Sequence, residues 1–167
     1  MIAQLHLPDE QRGADLSECG TYRYRLWRIW DPALARICWI MLNPSTADAL
    51  LDDATVRRCV GFSRAWGYGS LEVVNLFALR STDPRALRSH PDPVGPENDL
   101  AIESAVRRSL RVVAAWGNHG WIGGRDEIVR DRLRRLGVDP YHLGLTKQGR
   151  PRHPVRLAKS TELQLWT

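Results

Sequence analysis

Short apolar runs alternate along the chain with segments whose apolar residues recur at helical spacing. The runs predict strands over residues 22–30, 37–42, 71–79, 111–116 and 141–145. Helical spacing and terminal residues predict helices from Asp52-Asp53 to Gly67, over 97–109 and over 126–136. The alternation in 22–30 indicates a strand at a sheet edge, with its tyrosines on one side and Arg23 and Arg25 on the other.

This order of elements predicts the fold class. Strands that alternate with helices form a mainly parallel sheet covered on both faces. We therefore expect an α/β fold. The expected arrangement has three layers, α/β/α, with a central, mainly parallel four-stranded sheet plus an N-terminal edge strand or hairpin. The 167 residues suit a single domain over 1–167, and residues 1–20 carry no pattern that we can interpret.

Polar residues follow or end the predicted strands. In an open α/β sheet, ligands bind outside the carboxyl ends of the strands. The residues expected at that edge are Asn43, Pro44, Ser45, Asn75, Asn118, His119 and the loop that carries His153. Their convergence predicts one active site.

Each of these polar signals also has a structural interpretation. Taken alone, Asn43 and the following proline are more typical of a turn than of a catalytic loop. Asn75 lies within an apolar segment, where its amide is either a satisfied structural group or a reader of a nucleobase edge. His119 is typical of a surface loop. His153 is flanked by prolines that stiffen its loop and aim the imidazole, although a solvated histidine fits as well.

The charge is uneven in kind and in place. Lysine and arginine total 24, of which only two are lysine, against 19 acidic residues, for a net charge of +5. Residues 140–161 contain no acidic residue. The basic residues in that stretch are Lys147, Arg150, Arg152, Arg156 and Lys159. One sign of charge predicts contact with a polyanion, and the alternative is solvated surface.

Several classes of protein are excluded or disfavoured. No apolar run approaches the roughly 20 residues of a membrane span. Three cysteines without CxxC spacing argue against a disulfide framework, a structural zinc site and an iron–sulfur cluster, so we expect a cytoplasmic protein. Phosphate-binding and dinucleotide-binding glycine motifs, the zinc deaminase signature and the GxSxG elbow are missing. Asp48, Asp52 and Asp53 could bind a metal, but helix capping explains the last two better, so we expect no metal and no cofactor.

The order of the motifs resembles a known superfamily. A strand ends in Asn43-Pro44, a second contains Asn75 in Val-Val-Asn-Leu-Phe-Ala-Leu-Arg-Ser-Thr, a third ends in Ala-Trp-Gly, and a last one leads to His153-Pro-X-X-Leu157. From Ile37 to Lys159 this resembles the uracil-DNA glycosylase superfamily, and most of all its mismatch-specific uracil/thymine branch. The chain also resembles a family of small bacterial proteins defined as a domain of unknown function.

The resemblance implies a catalytic division of labour. Asn43 would hold the attacking water, and His153 would stabilise the negative charge on the departing base. Asn75 would read the base, with Ser45 and Asn118 beside it. Since uracil-specific members have an aromatic residue where Ser45 stands, the pocket should accept 5-substituted pyrimidines, including hypermodified phage cytosines. The role would be repair or anti-phage defence.

The resemblance also implies how DNA is held. Leu157 would fill the gap left by the flipped base, as an intercalating wedge. Arg152, Arg156 and Lys159, with Lys147 and Arg150 nearby, would bind phosphates. Two lysines supply few amine nucleophiles, so we expect a monomeric, monofunctional glycosylase that leaves an intact abasic site in DNA.

Three other hypotheses about the function remain open. A nucleotide or nucleoside hydrolase on the same fold would not need the basic loop. A non-catalytic binder of modified DNA would not need Asn43. A metal-dependent nuclease would require a metal site.

Overall fold

A computed structural model describes residues 11–167, and within them the chain forms seven strands and four α-helices. The strands are β1 (Gln11–Leu16), β2 (Arg23–Ile29), β3 (Arg36–Met41), β4 (Ser70–Asn75), β5 (Arg111–Ala114), β6 (Tyr141–His142) and β7 (Gln164–Leu165). The helices are α1 (Ala54–Ala65), α2 (Ala86–Ser89), α3 (Asn98–Arg108) and α4 (Arg125–Arg135). Short 3-10 segments cover Asn118–Gly124 and Pro154–Arg156.

All seven strands belong to one sheet, in the order β1-β2-β4-β3-β5-β6-β7. The pairs β3–β4, β3–β5 and β5–β6 are parallel, and the pairs β1–β2, β2–β4 and β6–β7 are antiparallel. The α/β class is therefore as the sequence predicts. The sheet is larger than the predicted four strands with one edge element, since antiparallel strands extend it on both sides.

The predicted edge position of the strand over residues 22–30 is wrong. β2 lies between β1 and β4, because β1 pairs with its outer side in a register that joins Gln11 to Ile29. The alternation of tyrosine and arginine does not separate buried from exposed side chains either, since Arg23 and Arg28 of β2 are both buried. Alternation of residue types along one strand does not report what lies beyond it.

The sheet is apolar on both faces. On one face, Ile37 and Trp39 of β3 pack with Val56, Cys59 and Phe62 of α1. On the other face, α3 and α4 pack through a second apolar cluster whose members include Ile40, Val74, Ile102, Val129 and Leu133. Strands that are covered on both faces have continuous apolar sequences, which is why the sequence predicts β3 and β5.

A buried carboxylate ties the antiparallel side of the sheet to α3. Glu72 of β4 is fully buried and accepts hydrogen bonds from Arg25 Nε at 2.7 Å and Arg108 Nη2 at 2.6 Å. Arg36 Nη1 donates to its second oxygen at 3.1 Å. Burial by itself raises the pKa of Glu72, but the arginines, with Arg108 foremost, outweigh burial and hold that pKa below its ordinary value.

Candidate functional site

The carboxyl ends of β3 and β4 meet at a cleft of about 440 Å³ beside the first turn of α1. Met41, the last residue of β3, is paired in register with Asn75, the last residue of β4. The cleft lies on the sheet face that α1 covers, because Met41, Val73, Val56 and Cys59 both line it and belong to the apolar cluster on that face.

The residues predicted for catalysis and base recognition line this single cleft. They are Asn43, Ser45, Asn75, Asn118 and His153, together with His119. Asn118 Oδ1 accepts a hydrogen bond from Thr146 at 2.7 Å, so the 3-10 segment that begins there is tied to the loop after β6. Parallel strands place residues that are 110 positions apart in the chain at the same edge of the sheet, as from Asn43 to His153.

Asn75 is at the floor of the cleft with an unpaired amide. It is 1% exposed, and neither Nδ2 nor Oδ1 has a hydrogen-bond partner in the described part of the chain. The predicted strand over 71–79 is too long, because β4 ends at Asn75. Beyond it, the N–H of Leu76 donates to Met41 at the end of β3, and the N–H of Phe77 donates to Leu42 in the loop that follows. An unpaired buried amide is costly, and no residue in the range 11–167 supplies the partner that a structural asparagine would need.

Asn43 has its amide nitrogen committed to the protein. Nδ2 faces three carbonyl oxygens, those of Ser81 at 2.9 Å, Pro44 at 3.1 Å and Leu79 at 3.3 Å. Three acceptors fix which end of the amide is nitrogen. They also leave Oδ1 as an acceptor without a partner among residues 11–167, which is the atom that could hold a water or a hydroxyl group.

His153 has a defined tautomer. Its Nδ1 accepts a hydrogen bond from the backbone N–H of Val155 at 3.3 Å, so in the neutral ring the proton is on Nε2. Loss of hydration lowers the pKa of His153 below its ordinary value, and the carboxylate of Asp53 opposes that shift. At neutral pH the ring is therefore a neutral donor through Nε2.

α1 anchors the loop that carries His153. Arg58 Nε donates to the carbonyl of Pro154 at 3.4 Å, and its Nη2 donates to the carbonyl of Leu157. These two carbonyls bracket the 3-10 turn over Pro154–Arg156. The guanidinium thus fixes the turn, and with it the position of His153 relative to Asp53 at the start of α1.

Two charged residues of the cleft were missed from the sequence. Arg23 lines the cleft and is only 3% exposed, although the alternation in the sequence only placed it on the side of the strand opposite the tyrosines. Asp53 was interpreted as a helix cap, and it is one, since its Oδ1 accepts from Val56 N at 2.9 Å. The same carboxylate lines the cleft. No local signal distinguishes a cap that also faces a site.

The residues predicted to bind DNA do not line the cleft. Lys147, Arg152, Arg156 and Lys159 are exposed, whereas Arg150 is half-buried and faces Asp126 at 3.5 Å. Leu157, the predicted wedge, is half-buried and packs against the apolar cluster beneath α1. The exposed apolar side chain of this region is instead Leu145, which is 37% exposed.

Residues 11–167 contain neither a metal-binding cluster nor a membrane-spanning helix. No group of three or more histidine, cysteine or acidic side chains there is placed to hold a metal ion. In the same part of the chain, no helix has the length and apolar character needed to cross a membrane.

Comparison with known proteins identifies a family. A family model described as "Protein of unknown function (DUF1643)" matches residues 23–155, from the start of β2 to the turn after His153. The chain belongs to this family. No curated protein and no solved structure matches the chain. The matched region contains every residue that lines the cleft.

Proposed function

We propose that the protein is a DNA glycosylase. In this proposal it flips a modified or damaged pyrimidine out of DNA and hydrolyses its N-glycosidic bond. The observation that carries the proposal is the unpaired Asn75 amide on the floor of a cleft that also holds the Asn43 acceptor and the His153 donor. The side-chain amide of asparagine has an NH2 donor and a carbonyl acceptor side by side, and these can pair with an adjacent acceptor and donor on a nucleobase.

The chemistry assigns one task to each group. Cleavage of the C–N bond develops negative charge on the base, and a neutral His153 donating through Nε2 stabilises that charge. Asn43 Oδ1 positions the attacking water, while its nitrogen holds the loop in place. Asn43 cannot remove a proton at neutral pH, so the reaction depends on a leaving group that departs readily and on placement of the water.

The basic loop is proposed to hold the DNA. Lys147, Arg152, Arg156 and Lys159 are exposed and would contact phosphates. A wedge is needed to occupy the space left by the base, since extrusion costs about a few kcal/mol. Leu157 would have to leave its packing to serve, so Leu145 is a second candidate for this task.

The proposed substrate is a pyrimidine with a substituent at C5. Ser45 lines the cleft where the resemblance to the uracil-DNA glycosylase superfamily predicts that an aromatic ring would close this space. The four parallel strands β4, β3, β5 and β6 would form the functional centre of a three-layer fold of that superfamily. We take the enzyme to act as a cytoplasmic monomer, in repair or anti-phage defence, and to leave the abasic site intact.

The test is a glycosylase assay without added metal. Labelled DNA would carry uracil, a thymine mismatch, 5-hydroxymethylcytosine or its glucosylated form, and hot alkali would then cut abasic sites. We expect cleavage of at least one substrate, loss of that cleavage in Asn43→Ala and His153→Gln, and full activity in the matched control Gln164→Ala. Gln164 is an exposed amide on β7, and it does not line the cleft. Folded protein that cleaves none of these substrates would contradict the proposal for this panel.

A nucleotide or nucleoside hydrolase is the second candidate, and the buried Arg23 in the cleft favours it because an arginine there suits an anionic small molecule. Release of a base from a free nucleotide, with little dependence on salt, would support this candidate. Glycosylase activity on DNA should instead fall steeply as salt rises, because phosphate contacts release counterions. A non-catalytic binder of modified DNA would retain its binding in Asn43→Ala.

A further inference from the structure

Arg23 is a buried cation whose donors are mostly unused. The residue is 3% exposed, yet it forms no ion pair with any residue in the range 11–167. Its one side-chain hydrogen bond is from Nη1 to the carbonyl of Ala47, at 2.8 Å. Nε is buried without a partner, and Nη2 has no hydrogen bond either in the described part of the chain. Buried charges in proteins are normally paired, so this arrangement is incomplete.

The charged residues near Arg23 do not supply the missing partner for its guanidinium. Burial lowers the pKa of Arg23 to about 10, which Asp53 and Asp48 oppose and Arg80 and Arg28 reinforce. The two carboxylates already have other donors. Asp48 Oδ1 accepts from the N–H groups of Leu50 and Leu51, and Asp53 Oδ1 caps α1. Arg28 is paired with Asp52 at 2.7 Å. Nε and Nη2 of Arg23 therefore have no acceptor among residues 11–167, and only Nη1 is bonded, to Ala47.

Arg23 also has a defined place in the cleft. Its backbone N–H donates to the carbonyl of Ala78, just beyond the end of β4. In the sheet, β4 and β3 lie between β2 and β5, so Arg23 is at the opposite end of the carboxyl edge from Asn118. Three strand spacings of about 4.8 Å separate the two ends, roughly 14 Å in all. Asn75, at the end of β4, lies between these two ends of the cleft. The end at β2 carries the buried cation, Arg23.

We propose that Arg23 forms a buried phosphate subsite in this cleft. A guanidinium offers a planar fork of donors that binds two oxygens of one phosphate group, which a lysine cannot do. Thr55, whose hydroxyl lies in the first turn of α1, lines the same cleft and supplies a further donor. The phosphate is that of a free nucleotide or of a DNA strand whose extruded nucleotide occupies the cleft. The subsite rests on Arg23 and does not require that the protein cleave a glycosidic bond.

The first experiment uses inorganic phosphate and the full chain in a phosphate-free buffer. A ligand that binds only the folded state stabilises it by RT ln(1 + [L]/Kd), so the melting temperature rises with the ligand concentration. We expect a concentration-dependent rise for the wild type, and at least a tenfold weaker apparent affinity for Arg23→Gln. Arg134→Gln is the matched control and should behave as the wild type, because Arg134 is an exposed arginine of α4, on the other face of the sheet.

A second measurement needs no variant, in case Arg23→Gln does not fold. The Nε–H signal of Arg23, assigned through bonds by NMR, should shift on titration with phosphate, and that of Arg134 should not. The proposal is overturned if phosphate fails to move the Arg23 signal, or if it stabilises Arg23→Gln as well as the wild type.

The source of the phosphate is then resolved with three ligands. Thymidine, thymidine 5′-monophosphate and the dinucleotide with one internal phosphodiester would be compared by the same titration. Tighter binding of the monophosphate than of the dinucleotide identifies a free nucleotide, and the reverse identifies a DNA strand. Equal binding of thymidine and the monophosphate contradicts the subsite. The glycosylase assay is independent of these results, so failure of one proposal does not imply failure of the other.

Discussion

Replacing Asn75 with leucine should stabilise the protein while removing its function. Leucine has the same branching at Cγ as asparagine but no polar atoms. The amide of Asn75 is buried, and both of its polar atoms lack partners in the described structure. An unpaired buried amide costs about 1–3 kcal/mol in mutational series. Relief of that cost predicts that Asn75→Leu raises the free energy of unfolding by about 1–3 kcal/mol.

The assay is equilibrium unfolding in urea at pH 7, followed by circular dichroism. For a domain of this size the expected gain corresponds to a rise in melting temperature of about 3–9 °C. The matched control is Asn98→Leu. Asn98 is also fully buried, and its Oδ1 lacks a partner among the described residues, but its Nδ2 donates to the carbonyls of Asn75 at 2.9 Å and Leu76 at 3.1 Å. Loss of those two bonds should lower the free energy of unfolding by about 1–3 kcal/mol.

The two variants should therefore move stability in opposite directions. If Asn75→Leu lowers the free energy of unfolding by more than about 1 kcal/mol, the amide is satisfied in the resting protein and the reasoning fails. The same variant should lose all base excision, because the group proposed to read the base is gone. A variant that is both more stable and inactive identifies Asn75 as a residue kept for function at a cost in stability.

Four further predictions concern the surroundings of the cleft. Glu72→Gln should destabilise by about 3 kcal/mol in urea at pH 7, since it breaks a buried ionic network. Because folding lowers the pKa of Glu72, the difference in free energy of unfolding between the wild type and Glu72→Gln should shrink as the pH falls below about 4. A difference that stays constant with pH would contradict this prediction. Arg58→Met should reduce base excision by about 10- to 100-fold with little change in melting temperature, because the turn carrying His153 loses its anchor. Gly120→Ala should unfold at a lower temperature, as an added Cβ would lie 2.5 Å from the Trp116 ring, and unchanged melting would refute the contact. Since folding lowers the pKa of His153, wild-type stability should fall as the pH drops below about 6.5, and His153→Gln should reduce that dependence in melting curves from pH 7 to 5.

Local chemistry was sufficient for the elements that build the cleft. The run over 37–42 predicted β3, and Asp53 and Gly67 marked the limits of α1, because caps and left-handed glycines act within a few residues. Parallel strands bring their carboxyl ends to one edge, so the meeting of Asn43, Asn75 and His153 in one cleft followed from the order of elements.

The sequence by itself determined the segments of β2 to β6, α1, α3 and α4 and the polar residues that follow them, since periodicity and capping depend on near neighbours. It did not predict β1, β7 or the short α2. Only the tertiary structure decided that β2 is interior, that Arg23 lies in the cleft and that Arg58 anchors the turn after His153. These features depend on strand order and on partners as much as 99 residues apart. A charged residue in an alternating strand is solvent-facing or buried according to what packs against it, and that neighbour is not encoded in the local pattern.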